Sequence, residues 1–182
     1  MAAFGFTKPL NRIVVQPGEA RLIIPYKTGV GTVRPGFFVK RGADDNTVIL
    51  TAASADRTLG VVGMAGADGG NVYYMPATLT ATYNSGDEVP VLSGGGFSAM
   101  VWHDTSSETV TLGDNVMLSA LVPGAVCKAT LLTIPAGGTA VTSGSATPTI
   151  MGADPSFQVV GQALETLSFA GTAGWLTIKL TI

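Results

Sequence analysis

The run Trp175-Leu176-Thr177-Ile178-Lys179-Leu180-Thr181-Ile182 decides the fold class. Successive side chains of an extended strand point to opposite faces, so Leu176, Ile178, Leu180 and Ile182 form one row and Trp175, Thr177, Lys179 and Thr181 the other. This two-residue period predicts a half-buried strand whose aliphatic row faces a core. No amphipathic helical pattern of comparable length occurs elsewhere. Thr and Val abound while strong helix formers rarely cluster, which leaves helix a minor component.

Short apolar runs at 12–15, 20–25, 37–40, 47–51, 60–64, 71–75, 77–83, 89–92, 99–102, 116–118, 125–133 and 158–163 read as further strands. Between them lie Gln16-Pro17-Gly18-Glu19, Arg34-Pro35-Gly36, Ala43-Asp44-Asp45-Asn46, Asn84-Ser85-Gly86-Asp87 and Val122-Pro123-Gly124. Pro pre-sets a turn dihedral, Gly supplies positive φ, and Asn or Asp bonds its own backbone, so each stretch carries turn chemistry. The expectation is an all-β chain: a compact β-sandwich or β-barrel-like domain over 17–182, an extended N-terminal arm over 1–16, and a Gly/Ser/Thr-rich loop at 137–149. Gly86-Asp87-Glu88-Val89 and Gly113-Asp114-Asn115-Val116 form a weak internal repeat, read as two similar hairpins within one domain.

Only 12% of the 182 residues are charged, 46% are hydrophobic and 24 are glycine. Globular domains ordinarily carry roughly a quarter charged residues, and a chain this long removes only about 70% of its accessible surface on folding. The composition therefore predicts contact with neighbouring subunits and points to an assembly component. Residues 1–57 hold eight basic and four acidic residues, a net +4, and residues 58–182 hold two basic and eight acidic, a net −6. The two parts suit head-to-tail attraction between copies or contact with an acidic partner. Nucleic acid is not the expected partner, because the basic residues are dispersed, no aromatic-basic motif appears and the pI is about 5.2. Nor is a membrane, since the longest apolar stretch, 117–127, is broken by Ser119, Pro123 and Gly124. The N-terminus lacks the apolar core of a secretion signal.

No constellation for catalysis emerges. His103, the sole histidine, lacks a nucleophile elbow aimed at it and reads as a surface or loop residue. Cys127, the only cysteine, reads as a small buried hydrophobe. Gly60, Gly63, Gly66 and Gly69 are followed by strand-like residues instead of a phosphate-binding helix. Asp44-Asp45-Asn46, Asp87-Glu88 and Asp114-Asn115 offer oxygen ligands without the spacing of a calcium loop, and read as turns. No cofactor or metal is expected.

Pro35-Gly36-Phe37-Phe38-Val39, Leu59-Gly60-Val61-Val62, Gly86-Asp87-Glu88-Val89, Gly113-Asp114-Asn115-Val116 and Val160-Gly161-Gln162-Ala163-Leu164-Glu165, closed by a last strand, occur in an order that resembles the head-decoration, or capsid cement, proteins of tailed viruses. The resemblance covers residues 17–136 and 157–182. It implies a non-enzymatic β protein, made in the host cytoplasm, that sits as a homotrimer on the outer capsid surface, binds the major capsid protein and clamps neighbouring capsomers. Phe4, Phe6, Arg12 and Arg21 are then the candidate capsid or subunit contacts, through apolar burial and guanidinium–carboxylate pairing. The alternative is a receptor- or glycan-binding module of a viral fibre or spike, with Trp102, His103, Asp104 and the Tyr73-Tyr74 pair as a sugar-stacking surface.

Overall fold

The computed structural model describes residues 14–16, 22–53, 56–63, 82–129 and 159–182. Among them the chain is all β. Strands β2 (Leu22–Thr28), β3 (Phe38–Arg41), β4 (Thr47–Leu50), β5 (Gly60–Val62) and β6 (Glu88–Ser93) close a barrel in the order β2-β4-β3-β5-β6. Strands β7 (Ser98–His103), β9 (Asn115–Leu118), β10 (Val126–Lys128), β11 (Val159–Ala163) and β13 (Gly174–Leu180) form a second ring, since β7 pairs with both β10 and β13. Strand β1 (Val14–Gln16) lies antiparallel to β7. Strands β8 (Ser107–Val110) and β12 (Leu167–Ala170) make a separate two-stranded ribbon. The strand expected at 71–75, most of that at 77–83 and the loop at 137–149 lie outside the described residues.

The alternation of residues 175–182 is present in β13. Leu176, Ile178 and Leu180 are fully buried, whereas Trp175 and Thr177 are half-buried and Lys179 is exposed. The row sits against β7, paired from Gly174↔His103 to Lys179↔Ser98, and against β11, paired from Gly161↔Leu180 to Ala163↔Ile178.

The two barrels are one design used twice. Taking β2, β3, β4, β5 and β6 as counterparts of β7, β9, β10, β11 and β13 preserves chain order and every pairing: the single parallel contact is β2–β4 in one and β7–β10 in the other, and the rest are antiparallel. Register is preserved too. Val39 faces Gly60 and Val116 faces Gly161, while Thr28 faces Val48 and His103 faces Val126. The interior of the first barrel is Val33, Val39, Val48, Val62, Val89 and Val91, and the matching positions in the second hold Val110, Val116, Val126, Ala163, Leu176 and Ile178, all buried.

Two glycine positions explain why the same residue recurs. A β-carbon on Gly60 would fall inside 3.0 Å of the Leu92 carbonyl oxygen, and one on Gly161 would sit 2.6 Å from that of Lys179. Each ring is drawn in so tightly there that a side chain has no room. The second pair is Gly36 and Gly113, at φ 79° and 91°. Gly36 donates to Val62 O and Gly113 donates likewise to Ala163 O, so the same turn feeds β3 and β9. The Gly86-Asp87 and Gly113-Asp114 segments match as turns, each Asp accepting the N–H of the third residue before it at 2.7 Å, but they do not occupy equivalent strands. The duplication follows the barrel interiors and not that pair.

Candidate functional site

The buried polar centre of the second barrel grows from the end of β7. His103 and Asp104 are 0% and 1% exposed, and the imidazole stacks on Phe169 of β12 with centroids 3.8 Å apart. Its Nδ1 faces the Asp104 carbonyl oxygen at 3.0 Å and its Nε2 faces Glu108 Oε1 on β8 at 2.8 Å. The same Oε1 accepts the Lys128 N–H of β10 at 2.6 Å. Asp104 accepts the Ser106 N–H at 2.7 Å and the Ser119 hydroxyl, and Ser119 Oγ in turn accepts the Leu121 N–H at 2.9 Å. Each of these buried polar groups therefore has a partner within hydrogen-bond distance.

This centre fastens the ribbon to the barrel. Glu108 on β8 and Phe169 on β12 are cross-strand partners, and both grip His103. The reading of His103 as a surface or loop residue is therefore overturned: it is a core residue, buried because Glu108 and a backbone carbonyl meet both ring nitrogens. Cys127 is half-buried, and burial, reinforced by the Asp104 and Glu108 charges, pushes its thiol up to about 12. The cysteine expected as a small buried hydrophobe is thus half-buried.

With the inner face of the ribbon committed, its outer face is left to solvent. Ser107, Thr109, Ser168 and Ala170 are exposed and carry no charge. Beside them, Leu112 is 63% exposed in the β8–β9 turn and Leu164 is 39% exposed after β11. The two turns are tied together by the Leu112 N–H donating to Thr166 Oγ1 at 3.0 Å and the Gly113 N–H donating to Ala163 O at 2.9 Å. Uncharged hydroxyls bordering exposed leucines are suited to contact with another protein surface.

The sugar-stacking surface is not assembled from Trp102, His103 and Asp104. Two of the three are buried, and Trp102 packs against Phe37 and, edge-on at 5.0 Å, against Trp175. Tyr73 and Tyr74, like Phe4, Phe6, Arg12 and Arg21, lie outside the described residues. The Asp turns behave as read, Asp44 accepting the Asn46 N–H at 2.9 Å. Among the described residues no group of three or more His, Cys, Asp and Glu side chains is placed to hold a metal. No helix of the described residues is long and apolar enough to cross a membrane.

Residues 14–177 match the family described as structural cement protein (E217 gp24/Pam3 gp6). No curated protein matches the chain. Among solved structures, the base of the head fibre gp8.5 N of bacteriophage phi29 is similar at 13% identity and a TM-score of 0.47, covering 89% of this chain and 95% of that one.

Proposed function

Because the chain belongs to the phage structural cement protein family, we propose that it binds the outer surface of a phage capsid, with the major capsid protein as its partner, and stabilises the shell without catalysing a reaction. The family match across 14–177 carries this reading. The charge-poor composition and the uncharged ribbon face with Leu112 and Leu164 support it, since the cores of protein interfaces are depleted in charge. Composition supports self-association, with a homotrimer as the proposed state. The N-terminal segment is the proposed anchor, Phe4 and Phe6 by apolar burial and Arg12 and Arg21 by pairing with capsid carboxylates. The role calls for no cofactor, nucleic acid or membrane.

The test is reconstitution on shells lacking the protein. Purified chain is added to undecorated capsids, and bound copies and shell melting temperature are measured. Saturable, stoichiometric binding with a raised melting temperature is expected. Folded protein that fails to bind would remove the reading. Deleting residues 1–11 should weaken binding while the β core stays folded, and unchanged affinity in that variant would reject the anchor.

A further inference from the structure

The two barrels meet through faces that are not equivalent. The first contributes the outer side of β3, β5 and β6, where Phe38, Val61 and Leu92 are fully buried. The second contributes the outer side of β7 and β13, where Met100 is buried and Trp102 and Trp175 are half-buried. Phe38, Val61, Leu92 and Met100 share one buried cluster, with Trp175 packed against it. Backbone bonds stitch the same seam: Trp102 N–H donates to Gly36 O at 3.1 Å and Phe38 N–H donates to Gly124 O at 2.7 Å. A contact between unlike faces of like units leaves one face of each kind free, so a further barrel of the same kind could dock on either end and extend the array.

The shared register names the residue at each corresponding position of the two free faces. On the second barrel Asn115, Gln162 and Lys179 stand where the first has Phe38, Val61 and Leu92. On the first barrel Pro25, Lys27 and Glu88 stand where the second has Met100, Trp102 and Trp175. All six are exposed. Lys27 and Glu88 are cross-strand partners, as Trp102 and Trp175 are, so one aromatic pair has a charged pair as its counterpart. We propose that these six residues are an end-capping device: they keep a second copy of this chain from docking head to tail through the seam that joins the two barrels. Head to tail, the Pro25/Lys27/Glu88 face of one copy would meet the Asn115/Gln162/Lys179 face of the next, so three charged and two amide side chains would lose hydration where the seam buries aromatic and aliphatic ones; polar outer faces of this kind keep the terminal units of repeat proteins soluble. This limit on chaining belongs to the chain alone and does not depend on any shell.

Two complementary full-length variants test it. One carries Pro25→Met, Lys27→Trp and Glu88→Trp, and the other Asn115→Phe, Gln162→Val and Lys179→Leu. Each alone should keep the oligomeric state of the unmodified chain in sedimentation velocity, whereas the mixture should gain a one-to-one association at least about tenfold tighter than either makes with unmodified protein, or roughly 1.4 kcal/mol. Near-ultraviolet circular dichroism and thermal melts confirm that each is folded. Absence of association between two folded variants overturns the proposal. So does equal self-association of each variant alone, which would mean unspecific stickiness in place of a specific seam. If a triple substitution does not fold, Lys27→Trp/Glu88→Trp mixed with Asn115→Phe repeats the test with the same two readings.

Discussion

Substituting alanine at Gly60 puts one methyl group where the first barrel is most tightly closed. The new β-carbon would fall inside 3.0 Å of the Leu92 carbonyl oxygen, a backbone atom held in the β5–β6 ladder, and 2.9 Å from Val91 Cγ1. Overpacking of this kind costs about 1–3 kcal/mol. Gly60 also has φ 151°, and holding a side chain in that glycine region adds about 1–3 kcal/mol. The smaller conformational freedom of alanine in the unfolded chain returns about 0.4–1 kcal/mol, which leaves a net loss of about 1–5.5 kcal/mol. Gly161, its counterpart, shows no positive φ, and a β-carbon there would sit 2.6 Å from Lys179 O, so only overpacking applies and about 1–2 kcal/mol is expected. Gly86→Ala is the control, having φ 91° and nothing within 4 Å, for backbone strain alone of about 1–2 kcal/mol. Urea unfolding gives all three values, and the melting temperature should fall by about 2–4 °C per kcal/mol. A Gly60→Ala loss no larger than that of Gly86→Ala would refute the close-approach account.

Acid should unfold the protein partly through Asp56. Burial raises its pKa, but both Lys40 Nζ contacts at 2.9 Å and the N–H groups of Ala52 and Ala53 outweigh that and hold it below the ordinary carboxylate value. A depressed folded value means stability present above the unfolded pKa and lost as pH falls through the folded one, so Asp56→Asn should be less stable than the unmodified chain at neutral pH, with the gap starting to close near about pH 4 and vanishing only below the folded pKa. Cys127, with its thiol near 12, should react with iodoacetamide at pH 8 at least about tenfold slower in the folded chain than in urea; equal rates would contradict its surroundings. Leu112→Asp/Leu164→Asp should weaken shell binding at a cost of only a few degrees in melting temperature, about what surface substitutions cost, since Leu112 is 63% and Leu164 39% exposed. Unchanged binding would remove the ribbon from the capsid contact.

Much of the scaffold was legible because β alternation and turn chemistry are local. The rows of β13 and the turns at Pro35-Gly36 and Gly113-Asp114 are written in adjacent residues. Strands β8 and β12 were not read, because Ser107-Glu108-Thr109-Val110 looks like a polar loop until Phe169 and His103 supply what Glu108 and Val110 pack on. His103 was misplaced for the same reason: its partners arrive through strand pairing. The signal available was a histidine five residues before a glutamate with Val110 and Phe169 nearby in the fold, which spacing alone does not distinguish from a loop. The duplication was hidden because only inward positions repeat, and outward ones diverge as widely as Phe38 and Asn115. Short parallel pairings such as Lys27↔Thr47 leave no local trace at all.

Strand β13 has a mechanical consequence. It is held on one side by six registered pairs with β7 and on the other by three with β11. A pull on Ile182 along the strand axis therefore loads both ladders in shear, and their hydrogen bonds must give way together; a pull across the sheet would instead peel them one at a time. The molecule is thus stiff along one direction and compliant at right angles to it, so the orientation in which it is tethered governs how much tension it transmits before it yields.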